Sequence, residues 1–392
     1  MIVSGDWLDD PAAQSVLGML TRAGHQAFCV GGCVRNSLLG VPVTDVDIAT
    51  DALPEAVTEL AQKAGLRAVP TGIAHGTVTV VAGGTGFEVT TFRRDVESFG
   101  RHARVAFSAD LEQDARRRDF TMNALYAQAD GRVIDPINGL ADITARRVRF
   151  VGTPGNRIRE DYLRILRFFR FHAQYGDPDG GLDAEALAAC ARFSDRLETL
   201  SRERIGAEMR KLLAVPDPAP AVAAMQASGV LGHLLAGADA QGLAVLIHFE
   251  GGVAGGWLRR LAVLGGEDPA ERLRLSRAEI RDFGHIRDGL SSTATPAELG
   301  YRLNGPLATD IVLARAALLS IPPPAGWQHD ITTGTRARFP LRPADLMPAL
   351  HGPALGAALK RAEDHWIASG FACSRADLQA FAQNGGKPPE GH

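Results

Sequence analysis

No stretch of the 392-residue chain approaches the roughly twenty uninterrupted apolar residues a membrane span requires, so no spanning helix is expected. Cysteine is scarce. Cys29, Cys33, Cys190 and Cys373 form neither a CxxC pair nor an even framework, which argues against a disulfide-stapled secreted domain and suits a reducing compartment. The opening MIVSGDWLDDP is acidic and carries no basic segment followed by an apolar run, so the expected location is cytoplasmic, with no membrane partner. With a net charge of -3 there is no basic excess, and a nucleic-acid partner would have to be met by a local basic surface. Two phosphate-binding patterns are also missing from the glycine-rich stretch near residue 31. GxGxxG is absent, which counts against a Rossmann oxidoreductase, and so is GxxxxGK[ST], which counts against a P-loop ATPase. His329-Asp330 stands alone, without the further spaced His and Asp that a metal-dependent HD phosphohydrolase needs. No internal repeat or low-complexity tract appears.

What is present is ordinary globular material, 45% hydrophobic and 22% charged, long enough for two or more domains. Helical spacing of Val16, Leu17 and Leu20 predicts a helix from Pro11 to Ala23, and Gly24 ends it before the short apolar strand Ala27 to Val30. Leu53 to Ala64 reads as a helix between strands. HGTVTVV (from His75) and FEVTTFR (from Phe87) flank AGGTG and predict a hairpin. Beyond about Arg146 strand signals give way to helical periodicity, with proline clusters at 216–220 and from Pro322 as joints.

The chemistry concentrates in VGGCVRNSLLGVPVTDVDIAT, Val30 to Thr50. In an extended segment Asp45 and Asp47 share a face, and two converging carboxylates repel unless a cation such as Mg²⁺ sits between them. A solvated edge strand is the competing reading. Gly31-Gly32 admits close approach of an anion, Arg35 supplies a mobile cation, and a helix from Asn36 onward would turn its first amides toward that anion. Glu88 shares a face with Thr90 and Phe92 and is either a third carboxylate or an exposed edge residue, because register is not readable from one sequence. In RRRDFTMNALYA, Arg118 and Asp119 lie beside residues that bury the chain, and Asn123 is placed to order the turn; the alternative is a solvated charge run. In RIREDYLRILRFFRF, Asp161 and Arg164 are three apart on a helix, with Arg167 and Arg170 continuing around it. By themselves these read first as an intrahelical salt bridge over an aromatic core face of Phe168, Phe169 and Phe171.

Taken in order, GGCVR with DVD, PTGIAHGTVTV, VTTFRRD, RRRDFTMNALY, DPINGLADI, REDYLRILRFFRF and SRERIGAEMRKLL resemble the bacterial class II CCA-adding tRNA nucleotidyltransferases. That branch is shared with bacterial poly(A) polymerase within the DNA polymerase β-like superfamily. The resemblance covers Ala27 to Leu213 and continues more faintly in FPLRPADLMPALHGPALGAALKRAEDHW. It implies an α+β head with a mixed sheet followed by an all-helical neck, body and tail, bounded at 1–145, 146–215, 216–325 and 326–392. It further implies template-independent addition of CCA to tRNA from CTP and ATP, with two Mg²⁺ ions on Asp45 and Asp47. Gly31, Gly32 and Arg35 would hold the triphosphate, and Arg118 and Asp119 would contact ribose or phosphate. Asp161 and Arg164 would read the base, supported by Arg167 and Arg170, since a carboxylate accepts from the exocyclic amine of C or A while a guanidinium donates to the adjacent ring nitrogen. Arg94 to Phe107 corresponds to a flexible loop whose Arg101 and Arg104 reach RNA. The helical remainder would bind the acceptor stem and T arm by shape and backbone charge, with no obligate protein partner. Asn36 departs from the family's usual Asp and removes a charge near the cradle. The rival readings are a poly(A) polymerase, an enzyme adding only CC or only A, and a silent tRNA-binding protein.

Overall fold

Residues 1–97 and 104–384 are described in the structure, a computed structural model. The chain divides into two units, Met1–Ala236 and Gly237–His392. In the first, α1 (Asp6–Asp9) and α2 (Pro11–Arg22) precede β1 (Ala27–Val30), followed by α3 (Gly32–Leu39), β2 (Asp47–Thr50), α4 (Pro54–Lys63), β3 (Arg67–Gly72), β4 (Thr77–Ala82) and β5 (Thr85–Thr91). Next come β6 (Arg93–Glu97), β7 (Arg104–Phe107), α5 (Leu111–Arg116), β8 (Tyr126–Ala127), β9 (Val133–Ile134) and α6 (Gly139–Thr144). Helices α7 (Pro154–Glu160), α8 (Leu163–Tyr175), α9 (Ala184–Arg192) and α10 (Arg202–Ala214) then pack as a helical layer, and no named strand follows β9 among the described residues.

Local chemistry accounts for the frame. Asp10 caps α2 by accepting from the Ala12 amide at 2.9 Å, with Pro11 in the first turn, and Val16, Leu17 and Leu20 are wholly buried as their spacing predicts. β4 and β5 pair antiparallel with Ala82 opposite Thr85, leaving Gly83-Gly84 as a two-residue turn. Both glycines have positive φ, +57° and +84°, which is what a tight hairpin of this length demands. The sheet runs β3-β4-β5-β2-β1-β8-β9, with β2 and β5 parallel and the other pairs antiparallel, so it is mixed as expected. Arg93 opens the separate β6–β7 hairpin instead of extending β5.

Three local expectations change. α3 starts at Gly32, four residues before Asn36, because Gly31 at φ +73° and ψ −113° turns the chain directly from β1 into the helix. β2 begins only at Asp47, so Asp45 sits in the approach to the strand and not within it. The run from Arg157 to Phe171 is two helices: α7 ends at Glu160, and Asp161 is extended at φ −155° and ψ 108° before α8 begins.

The second unit is helical. Its interior includes Leu341, Leu346, Trp366, Leu378 and Phe381. Helices Pro296–Arg302 and Trp327–Arg336 approach backbone to backbone at Gly300 and Gly334, where a Cβ would run into the carbonyls of Ile331 and Ala297. Buried Arg259 and Arg260 are paired with buried Glu250, at 3.0 Å from Arg259 Nε and 2.6 Å from Arg260 Nη2, so the interior charges are compensated. No described helix is long and apolar enough to cross a membrane.

Candidate active site

The sheet brings the acidic residues together. Asp47 pairs with Glu88 on the parallel strand β5 and with Val30 on β1, and Val30 in turn pairs with Tyr126, so these side chains form one lateral row on one face. Val30 and Tyr126 belong to the packed interior, whereas Asp47, at the first position of its strand, is exposed at the rim. Glu88 is thus laterally adjacent to Asp47, and its charge acts on it. Asp45 is also exposed and accepts from Thr44 Oγ1 at 3.0 Å. The Asp47 carboxyl is pushed above the usual carboxylate range by partial desolvation and by the charges of Glu88 and Asp45, against the opposing pull of Arg118.

A carboxylate whose proton affinity is raised by neighbouring negative charge belongs to a donor set that a hard divalent cation relieves, so Asp47 with Asp45 fits Mg²⁺. Among the described residues no three His, Cys, Asp or Glu side chains converge to hold a metal by themselves. Phosphate oxygens and water would have to complete the coordination.

Opposite the carboxylates lies the glycine turn. α3 has no side-chain cap, so its first amides remain available, and a Cβ on Gly31 would come within 3.5 Å of Arg118 Nη1. Arg118 is held by Asp114 Oδ2 at 3.0 Å and by the Tyr126 hydroxyl at 3.1 Å. Asp114 is buried, which alone would raise its pKa, but Arg118 and Arg117 outweigh that and hold it at about 2.

Arg35 is not the mobile cation expected. Its side chain is buried, and it donates to Asn36 Oδ1 at 3.1 Å from Nε and 2.9 Å from Nη2, to Asn123 Oδ1, and to the Tyr175 hydroxyl at 2.8 Å. Its guanidinium also lies over the Tyr175 ring, 4.2 Å from the centroid. Asn123 does order its turn, donating to Asp119 Oδ1 at 2.8 Å while accepting from Arg35. Asp119 Oδ2 in turn accepts from Arg167 Nε at 2.8 Å. Burial would raise the pKa of Asp119, yet Arg167 and the Asn123 bond bring it to about 2. Arg170, buried, donates to Glu208 Oε2 at 2.6 Å.

Asp161 and Arg164 are not paired with each other, because the helix breaks between them. Asp161 Oδ1 accepts from the Leu163 amide at 3.1 Å, and Oδ2 accepts from Arg204 Nη2 at 2.6 Å. Arg164 donates through Nη1 to Glu160 Oε2 at 2.5 Å and to the Arg157 carbonyl at 2.9 Å, leaving Nε and Nη2 free of these bonds. Asp161 lines a cleft of about 520 Å³ with Glu160, Tyr162, Thr199 and Arg204. Arg101 lies outside the described residues, and Arg104 opens β7 opposite Glu97.

Sequence reasoning missed Glu160, Arg204, Glu208, Asp114 and Tyr175. Glu160 was findable, being three residues from Arg157 and four from Arg164, the spacing at which opposite charges meet on a helix. Asp114 was findable on the same ground, three residues from Arg117 and four from Arg118, whereas Arg204, Glu208 and Tyr175 act across distances in sequence for which no spacing rule exists.

Comparison with known proteins follows the same outline. The family model described as the poly A polymerase head domain matches residues 27–149, and that described as the probable RNA and SrmB-binding site of polymerase A matches 181–241. A CCA-adding enzyme of Geobacillus thermodenitrificans is 36% identical over 326 residues, covering 82% of this chain and 74% of that protein. The mitochondrial CCA tRNA nucleotidyltransferase 1 of Mus musculus is 44% identical over 201 residues, covering 51% of this chain and 46% of that protein. The chain thus spans about half the length of several curated relatives it matches. The crystal structure of the Bacillus stearothermophilus CCA-adding enzyme in complex with CTP superposes with a TM-score of 0.72 at 29% identity, covering 95% of this chain and 96% of that one.

Proposed function

The chain belongs to the family of CCA-adding tRNA nucleotidyltransferases, and on that premise we propose that it adds C, C and A in turn to the 3′ end of tRNA, from CTP and ATP and without a nucleic-acid template. The observation that carries this reading is the placement of Asp47 beside Glu88, with Asp45 on the approach, across from the uncapped first turn of α3. Asp45 and Asp47 would hold Mg²⁺, which when bound supplies charge neutralisation for the reacting phosphate and the leaving pyrophosphate. The first amides of α3, from Gly32 onward, would take the triphosphate oxygens, while Gly31, whose own amide donates to the Leu125 carbonyl at 3.2 Å, would leave room for them by lacking a side chain. Arg118 and Arg35 add fixed positive charge behind them, and Asp119 acts through Asn123 and Arg167 to hold that frame rigid. Little covalent chemistry falls to the protein, so positioning and electrostatics do the work.

Base choice would rest on Asp161 and Arg164. The carboxylate accepts from the amine of C or A, and the free Nε and Nη2 donors of Arg164 address the neighbouring ring nitrogen. UTP and GTP present the opposite polarity on that edge. Arg167 and Arg170 support this layer from α8. The helices beyond α10, with exposed Lys360 and Arg361 on Gly352–Ala368, would meet the acceptor stem and T arm through backbone charge. Residues 1–145 serve as the head, 146–215 as the neck, and 216–325 and 326–392 as body and tail, in the cytoplasm.

The test is incubation with Mg²⁺ and three tRNA transcripts, ending before CCA, after CC, or complete, with each labelled nucleotide alone and with CTP plus ATP. Addition of two C and one A, then arrest, is the expected result. Long A tails would establish a poly(A) polymerase, CC or A alone a split enzyme, and binding without incorporation a silent tRNA binder.

A further inference from the structure

Arg35 is a charged group in an unusual setting. Four of its N–H bonds go to three neutral acceptors: the Asn36 amide oxygen, the Asn123 amide oxygen and the Tyr175 hydroxyl. The carboxylate that Asn123 reaches, Asp119, is already engaged by Arg167. The guanidinium is therefore buried at 7% exposure with its charge uncancelled by direct contact, and it stands behind the glycine turn, 3.8 Å from where a Cβ of Gly32 would be. Burial lowers its pKa from the ordinary arginine value, as desolvation of an unpaired cation requires. Such a charge is costly unless an anion repays it.

Of the three partners, Asn36 is the next residue in the same helix and Asn123 comes from the 3₁₀ turn Thr121–Asn123. Tyr175 alone comes from the helical layer, as the last residue of α8, 140 positions away. It grips the guanidinium twice, by its hydroxyl at 2.8 Å and by its ring face at 4.2 Å. α8 also carries Arg167, so one helix fixes Arg35 directly and Asp119 through a second contact.

We propose that Tyr175 is a positioning residue for the triphosphate: from α8 it fixes the uncompensated Arg35 charge behind the Gly31-Gly32 turn, and so sets triphosphate affinity without entering base choice. This rests on the nucleotidyltransferase reading of the same site. Removing the hydroxyl while keeping the ring frees one guanidinium donor and lets the charge drift. A hydrogen bond to a charged group is worth roughly tenfold to a hundredfold when lost outright; because Tyr175 acts on the triphosphate only through Arg35 and its ring contact stays, a smaller loss of roughly threefold to tenfold is expected. Asn36→Asp provides the complementary change, since a carboxylate would accept from the same two donors and cancel the charge in place.

The experiment is calorimetric titration of the full chain and of the Tyr175→Phe and Asn36→Asp variants with CTP, ATP and inorganic tripolyphosphate, with KM and kcat for C and A addition measured in parallel. Expected for Tyr175→Phe is a similar weakening for all three ligands, about threefold to tenfold, with KM raised, kcat within about twofold and preference for CTP over UTP unchanged. Asn36→Asp should weaken tripolyphosphate at least as much, with its melting temperature unchanged or raised. Unchanged tripolyphosphate binding in Tyr175→Phe, or weakening confined to CTP and ATP, would overturn the proposal, as would a lowered melting temperature with affinities intact. Because the tripolyphosphate arm needs no turnover, a chain that binds it through Tyr175 but incorporates no nucleotide would sink the proposed reaction and leave this inference standing.

Discussion

Asp47 shows how the role proposed for a side chain and the stability of the fold oppose each other. Its pKa is raised in the fold by desolvation and by Glu88 and Asp45. A folded value above the unfolded one means the native state binds the proton more tightly, so stability falls as pH rises from the ordinary carboxylate range through the raised value. At neutral pH Asp47 therefore opposes folding. Asp47→Asn should melt at a higher temperature than the parent in divalent-free buffer at neutral pH, with the difference shrinking as pH is lowered into the carboxylate range, and should lose roughly a thousandfold or more in nucleotide addition. Thermal melts across pH beside the incorporation assay check both halves; a lower Tm at neutral pH would refute the repulsion argument. Glu160 offers a second test. It holds Arg157 and Arg164 together, so Glu160→Gln should leave Arg164 less ordered and erode discrimination between CTP and UTP by about tenfold, more than it erodes kcat. Competition of labelled CTP and UTP for tRNA ends reads this directly.

At the scale of elements, what was legible was local. Pro11 after Asp10 and the Val16, Leu17, Leu20 spacing gave α2, and Gly83-Gly84 between β-branched runs gave the β4–β5 hairpin. What was not legible was decided by partners remote in sequence. Parallel pairing of β2 with β5 sets Glu88 beside Asp47, and no turn chemistry encodes that register. Arg35 read as mobile because nothing near it in sequence announces Tyr175. The Asp161–Arg164 spacing misled because the break between α7 and α8 falls at Asp161-Tyr162, with neither glycine nor proline to mark it. Glycine carries the opposite lesson in the second unit. Gly334 faces the Ala297 carbonyl so closely that Gly334→Ala must push two helices apart, at a cost of about 3 kcal/mol or more. A lower denaturant midpoint, with CTP affinity unchanged, is the expected signature.

Across the whole molecule the chain forms two compact units, and the chemistry proposed for the first is spread through it: carboxylates on the sheet, amides on α3, and the arginines proposed to serve base choice on α8. The sheet and its flanking helices look like a separable module, since the matched head region ends at residue 149. The chain of bonds from Tyr175 through Arg35, Asn123 and Asp119 to Arg167 says otherwise. Cutting after residue 150 would retain every named strand yet strand Asp119 without its cation and Arg35 without its aromatic cover, leaving the two charges only the neutral amides of Asn36, Asn123 and Phe120 as partners. Such a fragment should be molten, binding hydrophobic dye and lacking a cooperative melt, whereas residues 1–236 should unfold in a single transition. What can be inherited, swapped or shuffled as one piece is then not the sheet alone but the sheet together with the helices that keep its charges in place.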